Sequence, residues 1–288
     1  MLCYHRPLGR LAARGAGDLL ANATTRNRLR VLSSMDRNTG VLPPDPGGAV
    51  ATVQRASERA FFDFGWLQTH HSFSFADYYD PENLNWGALR VFNDDTVQPG
   101  KGFGTHPHRD MEIVTYVLRG ELEHRDSMGQ HGVVPPGGVQ YMSAGTGITH
   151  SEFNHSGERD VHFVQMWVLP KRYGERPQYG QHEFTTAQRD GTWLTIASGE
   201  GSVTAPIALG QEATLRVARL NGGTLPVELR EGRYGFLFVA DGTVTANGER
   251  LAAGDALRLR GEQRFDVVGN GELVFWDVPP TNVRLDDA

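Results

Sequence analysis

Hydrophobic positions in this chain cluster into short runs of β-branched and aromatic residues, separated by glycines and polar turns. In the first part of the chain the runs lie at residues 88–94, 111–126, 139–145 and 161–169, and Gly120 divides the longest of them into a predicted hairpin. Runs of this length and composition are typical of strands, and no long stretch shows the 3.6-residue period of a helix. The pattern predicts an all-β fold built from barrels or sandwiches.

A second set of similar runs follows between residues 192 and 278. It contains Asn247-Gly248, the strongest two-residue hairpin signal in the chain. The two sets predict two similar β domains, which we place at residues 51–172 and 173–288. Glycine-rich turns and many short strands at near-regular spacing support this division.

Residues 1–50 differ in composition from the rest of the chain. The first 34 residues contain six arginines and a single acid, Asp18, and residues 38–49 are rich in proline and glycine. An Arg-rich, acid-poor start is typical of an organelle targeting peptide, and it also arises when the true start is Met35. We therefore expect an N-terminal extension before the fold that is disordered or results from a mis-set start.

The composition narrows the class of protein. Of the 288 residues, 39% are hydrophobic and 22% are charged, and the apolar runs are too short to span a bilayer. The formal net charge is -6, and the body of the chain has no dense Lys or Arg cluster that would attract a phosphate backbone or an anionic lipid. The single cysteine, Cys3, allows neither an internal disulfide nor a Cys-based zinc site. We expect a cytoplasmic protein that binds neither membranes nor nucleic acid directly.

Two pairs of alternate residues carry the candidate chemistry. His106 and His108 are two residues apart, and His150 and Glu152 repeat this spacing after a second glycine-rich turn. Because side chains alternate along a strand, each pair shares one face, and Glu112 is expected on the face of the first pair. If both strands line a barrel, three imidazoles and one carboxylate meet at one point. Such a set leaves open positions on a six-coordinate metal, as a catalytic site requires.

The remaining histidines lack a partner at this spacing. His70 and His71 are adjacent and point to opposite faces of a strand, so one at most reaches a pocket. Others are expected at the surface or behind the metal ligands: His124, His131, His155 and His162. No histidine follows His182, which predicts a second domain without metal ligands that covers one mouth of the first or binds a partner. Glu112 could ligate the metal, orient a ligand or move a proton, and these roles stay open.

Three segments resemble the pirin family of the cupin superfamily. They are HPHRDMEIVTYVLRGELEHRDSMG from His106, QYMSAGTGITHSEFN from Gln140 and GWLQTHHSFSFADYYDP from Gly65. The resemblance implies a bicupin, two antiparallel β-barrels packed face to face, with one metal in the N-terminal barrel. It implies that Glu112 is not a ligand and that the metal ligands are His106, His108, His150 and Glu152.

The resemblance is greatest to bacterial pirin-like proteins described as quercetin 2,3-dioxygenases, which implies a ring-cleaving enzyme. Three neutral imidazoles and one carboxylate leave a divalent ion with net positive charge, which lowers the pKa of a bound enol or phenol. Iron(II) is the expected metal, and the same donors accept Mn, Co, Ni, Cu or Zn. We expect a flavonol-type substrate to lose its hydroxyl proton to Glu152 or Glu112 and to react with O2, giving a depside and carbon monoxide.

Two other functions stay open at this point. Pirin-like proteins have also been viewed as metal-dependent regulators, so the site could sense redox state and alter the binding of a protein partner, with little or no turnover. A cupin isomerase would use acid and base groups around the metal without oxygen. Substituting His108 or Glu152 abolishes turnover in an enzyme, anaerobic assays identify an isomerase, and redox-dependent partner binding identifies a regulator.

Overall fold

The computed structural model describes residues 48–281, so nearly all of the predicted extension at residues 1–50 lies outside the described part of the chain. Within that part, a 3-10 turn at Ala56–Glu58 and one short helix, α1 at Thr186–Arg189, accompany seventeen strands. The first nine strands are β1 Val50–Gln54, β2 Ala60–Asp63, β3 Leu67–His71, β4 Leu89–Val97, β5 Gly102–Arg119, β6 Leu122–Asp126, β7 His131–Val134, β8 Val139–Asn154 and β9 Val161–Val168. The other eight are β10 Gln178–His182, β11 Leu194–Ser198, β12 Ile207–Ala208, β13 Thr214–Leu229, β14 Tyr234–Ala246, β15 Glu249–Ala252, β16 Ala256–Arg260 and β17 Gln263–Val278.

The strands form two sheets, which confirms the all-β prediction. The first sheet has the order β2-β3-β4-β9-β5-β8-β6-β7, with β10 paired to β8. The second has the order β1-β16-β14-β17-β13-β11-β12, with β15 paired to β14. Between residues 48 and 281, no helix is both long enough and apolar enough to cross a membrane.

Two strands, β1 and β10, join the sheet of the other predicted domain. β1 pairs antiparallel with β16 of the second sheet, although it precedes every strand of the first. β10 pairs antiparallel with β8 of the first sheet, although it follows residue 172. The domain limits at residues 51–172 and 173–288 stay a prediction, and the strand pairing departs from them at these two places.

The largest apolar core lies between the two sheets. It includes Phe92 and Met166 from the first sheet and Phe236, Phe238 and Trp276 from the second, all fully buried. The rings of Phe92 and Phe238 are 4.7 Å apart between centroids. Because burial of each large apolar side chain contributes about 1.5–3 kcal/mol, this contact holds the two halves face to face.

Side chains that alternate with this core differ between the halves. In the second half they are apolar, and Leu237, Val239 and Phe275 pack in a separate core. In the first half the alternate positions include Asn93 on β4 and Gln165 on β9, which line a cavity. The first barrel therefore combines an apolar contact with the second half and a cavity into which several polar side chains are placed.

The antiparallel pair of β5 and β8 carries all four predicted donors. Glycine permits the close approach of these strands, because a Cβ on Gly102 would overlap the backbone of Glu152. Gly145 lies at φ +45°, a conformation that side chains disfavour, and a Cβ there would meet the carbonyl of Glu175. The glycine-rich turns of the sequence thus set the path of the two strands beside the donors.

Candidate metal centre

Three imidazoles meet on one face of the β5–β8 pair. His106 lies directly opposite His150, and the donor nitrogens of these residues and of His108 lie within 4.8 Å of one another. The Nε2 atoms of His106 and His150 are 3.1 Å apart. The ring of His108 lies 4.8 Å from each of the other two rings, measured between centroids. The structure thus brings together the three histidines that the sequence singled out.

Hydrogen bonding and burial favour neutral imidazoles at this cluster. The carbonyl of Gly104 can only accept, so Nδ1–H of His106 donates to it at 2.7 Å, and a neutral ring held in this way has its lone pair on Nε2. Burial, with the nearby imidazoles of His150 and His106, lowers the pKa of His108 to about 3. Burial, with the imidazoles of His106 and His124, lowers the pKa of His150 to about 3. Neutral imidazoles with converging lone pairs are the donors that a divalent transition metal requires, so the residues fit such an ion.

Glu152 is held by two glutamine amides. Its Oε1 accepts a hydrogen bond from Nε2 of Gln140, and its Oε2 accepts one from Nε2 of Gln165 at 2.8 Å. The carboxylate is buried, and it lines the same cavity as His106 and His108. Because a carboxylate has about four acceptor sites, these two bonds orient the group and leave sites for a cation or a proton.

The two glutamines belong to a polar row that crosses the first sheet and that sequence reasoning missed. The strand register places Asn93, Gln165, Thr115 and Gln140 side by side on β4, β9, β5 and β8. The amide nitrogens of Gln140 and Gln165 lie 3.5 and 3.4 Å from Oγ1 of Thr115. The available signal was a polar residue between two apolar neighbours, as at Thr115, Gln140 and Gln165.

Glu112 does not share the face of the histidines, so that expectation fails. β5 carries a bulge between His108 and Asp110, where Asp110 adopts φ +63°, and the bulge shifts the alternation of side chains. The carboxylate of Glu112 instead accepts N–H bonds from Gly210 at 2.6 Å and Gln211 at 3.1 Å, and the hydroxyl of Tyr141 at 3.0 Å. Burial raises the pKa of Glu112. This residue links the two halves and lies away from the metal donors.

Of the other histidines of this half, His162 is partly buried and contacts Asp94, and three more divide between a buried and an exposed group. His124 is fully buried, and one donor atom each from His124, His150 and Glu152 lie within 4.8 Å of one another. His131 and His155 are half exposed, and both contact Glu123. Of these three histidines, His131 and His155 therefore lie at the surface, and only His124 lies behind the cluster.

One cavity opens onto the cluster and is walled by aromatic side chains. It has an empty volume of about 990 Å³ including its open mouth, and both His106 and His108 line it. The ring of Trp167 lies edge-on to the ring of His108 at 4.9 Å, and Phe75 lies edge-on to Trp167 at 5.3 Å. His71 lines the same cavity, whereas His70 does not. Flat apolar walls with a few polar groups are typical of a site for an aromatic small molecule.

Asp95 adds a buried carboxyl to this cavity, and its burial predicts a pH-dependent stability. Burial raises the pKa of Asp95 to about 7, and the carboxylates of Asp94 and Glu152 contribute in the same direction. A carboxyl whose pKa rises on folding stabilises the fold while protonated, and this contribution is lost as the pH rises through the raised pKa. We expect the contribution of Asp95 to the unfolding free energy of metal-free protein to fall by about 4 kcal/mol between about pH 4 and pH 8, whereas the lowered pKa values of His108 and His150 act in the opposite direction below about pH 6.5.

Urea denaturation in the presence of a chelator measures this fall. The difference in unfolding free energy between wild type and Asp95→Asn isolates this contribution, because the amide does not titrate and the histidines are common to both proteins. The exposed Asp160 provides the matched control, and Asp160→Asn should keep the wild-type pH profile. Equal profiles for wild type and Asp95→Asn would contradict the prediction.

Comparison with known proteins adds independent information. Residues 52–168 match the family model described as Pirin, and residues 195–275 match the model described as Quercetinase C-terminal cupin domain. The chain is 41% identical over 231 residues to the quercetin 2,3-dioxygenase of Escherichia coli (strain K12), covering 79% of this chain and 98% of that protein. It is 43% identical over 218 residues to a pirin-like protein of Caulobacter vibrioides, covering 75% and 94%. The crystal structure of a bacterial pirin from Escherichia coli in complex with nickel(II) matches with a TM-score of 0.75 at 38% identity, covering 81% of this chain and 100% of that chain.

Proposed function

The chain belongs to the pirin family, and from that premise we propose that it is a metal-dependent dioxygenase that opens the ring of a flavonol-type substrate such as quercetin. Its two halves are the two cupin domains of a bicupin, as the sequence motifs predicted. One observation carries the proposal: the donor atoms of three histidines converge, and two of these histidines line an aromatic cavity together with the oriented carboxylate of Glu152. Quercetinase-like names among the relatives support the same reaction class.

The proposed metal ligands are His106, His108, His150 and Glu152. A histidine-rich N3O donor set suits iron(II), our first choice, and it also accepts Mn, Co, Ni, Cu or Zn. The crystal structure of a bacterial pirin that this chain resembles is a complex with nickel(II), which supports the binding of a divalent ion by this chain. A bound divalent ion would supply Lewis-acid charge that lowers the pKa of a substrate hydroxyl and would provide the redox partner for O2.

The chain itself binds the substrate and moves a proton. Trp167 and Phe75 offer flat walls to an aromatic ring and exclude water from it. Glu152 takes up the hydroxyl proton at a carboxylate oxygen, because Gln140 and Gln165 hold its carboxylate toward the cavity that the substrate would occupy. Glu112 has no part in this step, since its carboxylate is engaged by Gly210 and Gln211.

Oxygen uptake with quercetin tests the proposal. Protein stripped of metal and reloaded with iron(II) under anaerobic conditions is expected to consume O2 and release carbon monoxide when quercetin and air are supplied. The stripped protein is the control, and it should do neither. A sample that holds stoichiometric metal and yet gives no uptake and no carbon monoxide would overturn the enzyme proposal. The regulator with a protein partner would then be the next prediction to test.

We propose the cytoplasm as the place of action, as the sequence predicts.

A further inference from the structure

His150 uses both of its ring nitrogens. Its Nε2 faces His106 in the cluster, while its Nδ1 lies 3.4 Å from Nδ1 of His124. On the far side, Nε2 of His124 lies 3.3 Å from Oδ2 of Asp126. The side chains of His124 and Asp126 are both fully buried, so water does not compete for these bonds. A continuous chain of hydrogen bonds therefore leads from the cluster to a carboxylate behind it.

We propose that His124 and Asp126 are positioning residues that fix His150 in the tautomer with its proton on Nδ1 and a bare Nε2. This inference rests on the proposed metal site and specifies how one of its ligands is prepared. An ionised carboxylate only accepts, so Nε2 of His124 carries the proton. Neutral His124 then accepts at Nδ1, and His150 must donate from its own Nδ1. The remaining lone pair of His150, on Nε2, points at His106.

Backbone N–H groups fix the carboxylate of Asp126, at the far end of this series of hydrogen bonds. Oδ1 of Asp126 accepts the N–H groups of Met128 at 2.9 Å and Gln130 at 3.0 Å in the turn between β6 and β7. The ring of His124 stacks on Tyr179 of β10 at 4.4 Å and an interplanar angle of 18°. These contacts fix the carboxylate of Asp126 and the ring of His124. The series of hydrogen bonds from Asp126 to His150 therefore favours one direction of proton donation. Outer partners of this kind orient a ligand and raise its basicity.

His124 itself is assigned as a support for the metal site and not as a ligand. It lies within 4.8 Å of donor atoms of His150 and Glu152, which would place it in an alternative metal group. Both of its nitrogens are already engaged, by Asp126 on one side and His150 on the other. No lone pair on its ring is left for a cation.

The Asp126→Asn variant tests the direction of proton donation along these hydrogen bonds, because asparagine has nearly the size of aspartate. The N–H groups of Met128 and Gln130 would hold the amide oxygen, so the amide NH2 would turn toward His124. His124 would then accept at Nε2 and donate from Nδ1, which forces the proton of His150 onto Nε2. An Asp-to-Asn change that reverses a histidine tautomer in this way impairs a site while preserving its geometry.

Two measurements on the full chain follow. In metal-free protein, nitrogen NMR of the imidazoles is expected to show the His150 proton on Nδ1 in wild type and on Nε2 in Asp126→Asn. Calorimetric titration with nickel(II) is expected to show about 10–100-fold weaker binding in the variant. Glu123→Gln is the matched control, because Glu123 on the same strand contacts the exposed His131 and His155; it should leave both readouts unchanged.

A second variant keeps the test decisive if Asp126→Asn perturbs folding. His124→Phe preserves a ring against Tyr179 and removes both nitrogens, so adding Asp126→Asn in that background should weaken nickel binding no further. Nickel affinity of Asp126→Asn equal to wild type, or a proton that stays on Nδ1 of His150 in that variant, would overturn the inference. If wild-type protein binds no nickel, the proposed metal site fails, while the NMR comparison in metal-free protein still decides the direction of the chain.

Discussion

Replacing His108 by alanine is expected to weaken metal binding strongly and to abolish turnover with it. His108 is one of three imidazoles whose donor atoms lie within 4.8 Å of one another, and its pKa of about 3 keeps it neutral and ready to ligate at pH 7. Structural metal sites with four ligands contribute about 10–16 kcal/mol, so one ligand accounts for roughly 3 kcal/mol. Each 1.4 kcal/mol corresponds to about a factor of ten, and we expect affinity to fall about 100-fold or more.

Metal analysis of the purified variant and oxygen uptake with quercetin measure these losses. His155→Ala is the matched control, because His155 lies one residue beyond the end of β8, is half exposed and contacts Glu123. The control should retain wild-type metal content and rate. A His108→Ala protein that binds metal as tightly as wild type would remove His108 from the ligand set. Full turnover in that variant would contradict the proposed function as well.

Replacing Glu112 by alanine is expected to lower the unfolding free energy by about 3 kcal/mol. The change leaves the N–H groups of Gly210 and Gln211 and the hydroxyl of Tyr141 without their acceptor inside the contact between the halves. Leaving buried donors unpaired costs more than losing an exposed hydrogen bond, because no water replaces the carboxylate. Chemical denaturation of metal-free protein near neutral pH measures the change.

The matched control lies in the same loop region. Glu212 is exposed and pairs with the exposed Lys171, and water screens the attraction within an exposed pair of this kind. We therefore expect Glu212→Ala to stay close to wild type. Equal stabilities for the Glu112 and Glu212 variants would show that Glu112 does not link the halves. Metal affinity should change little in either variant if Glu112 has no part in the metal site.

Strand alternation explains what sequence could predict of the candidate site. His106 with His108, and His150 with Glu152, lie on regular stretches of β5 and β8, so a two-residue spacing correctly indicated a shared face. The same argument failed for Glu112, because the bulge before Asp110 adds a residue that no hydrophobic pattern marks. A local backbone irregularity is enough to reverse every later side chain on the strand.

Partners behind the ligands were harder to predict than the ligands. His124 and Asp126 show the same two-residue spacing as the ligand pairs, and this was the signal available for them. Their function depends on which strand lies next to β6, and the pairing of β6 with β8 is a tertiary fact. The glutamines beside Glu152 are a similar case, since Gln140 lies 12 residues away on the same strand and Gln165 lies on β9, and only the folded sheet brings both to its carboxylate.

The exchange of β1 and β10 between the sheets has a consequence for anyone who dissects this protein. A fragment that begins at β2 and stops at residue 172 would lack β10, and a second fragment that begins at residue 173 would lack β1. Each fragment would therefore present an unpaired strand edge. Such edges recruit other chains and favour aggregation. The two halves are therefore not interchangeable modules. A chimera or a split reporter made from them should keep β1 with the second sheet and β10 with the first.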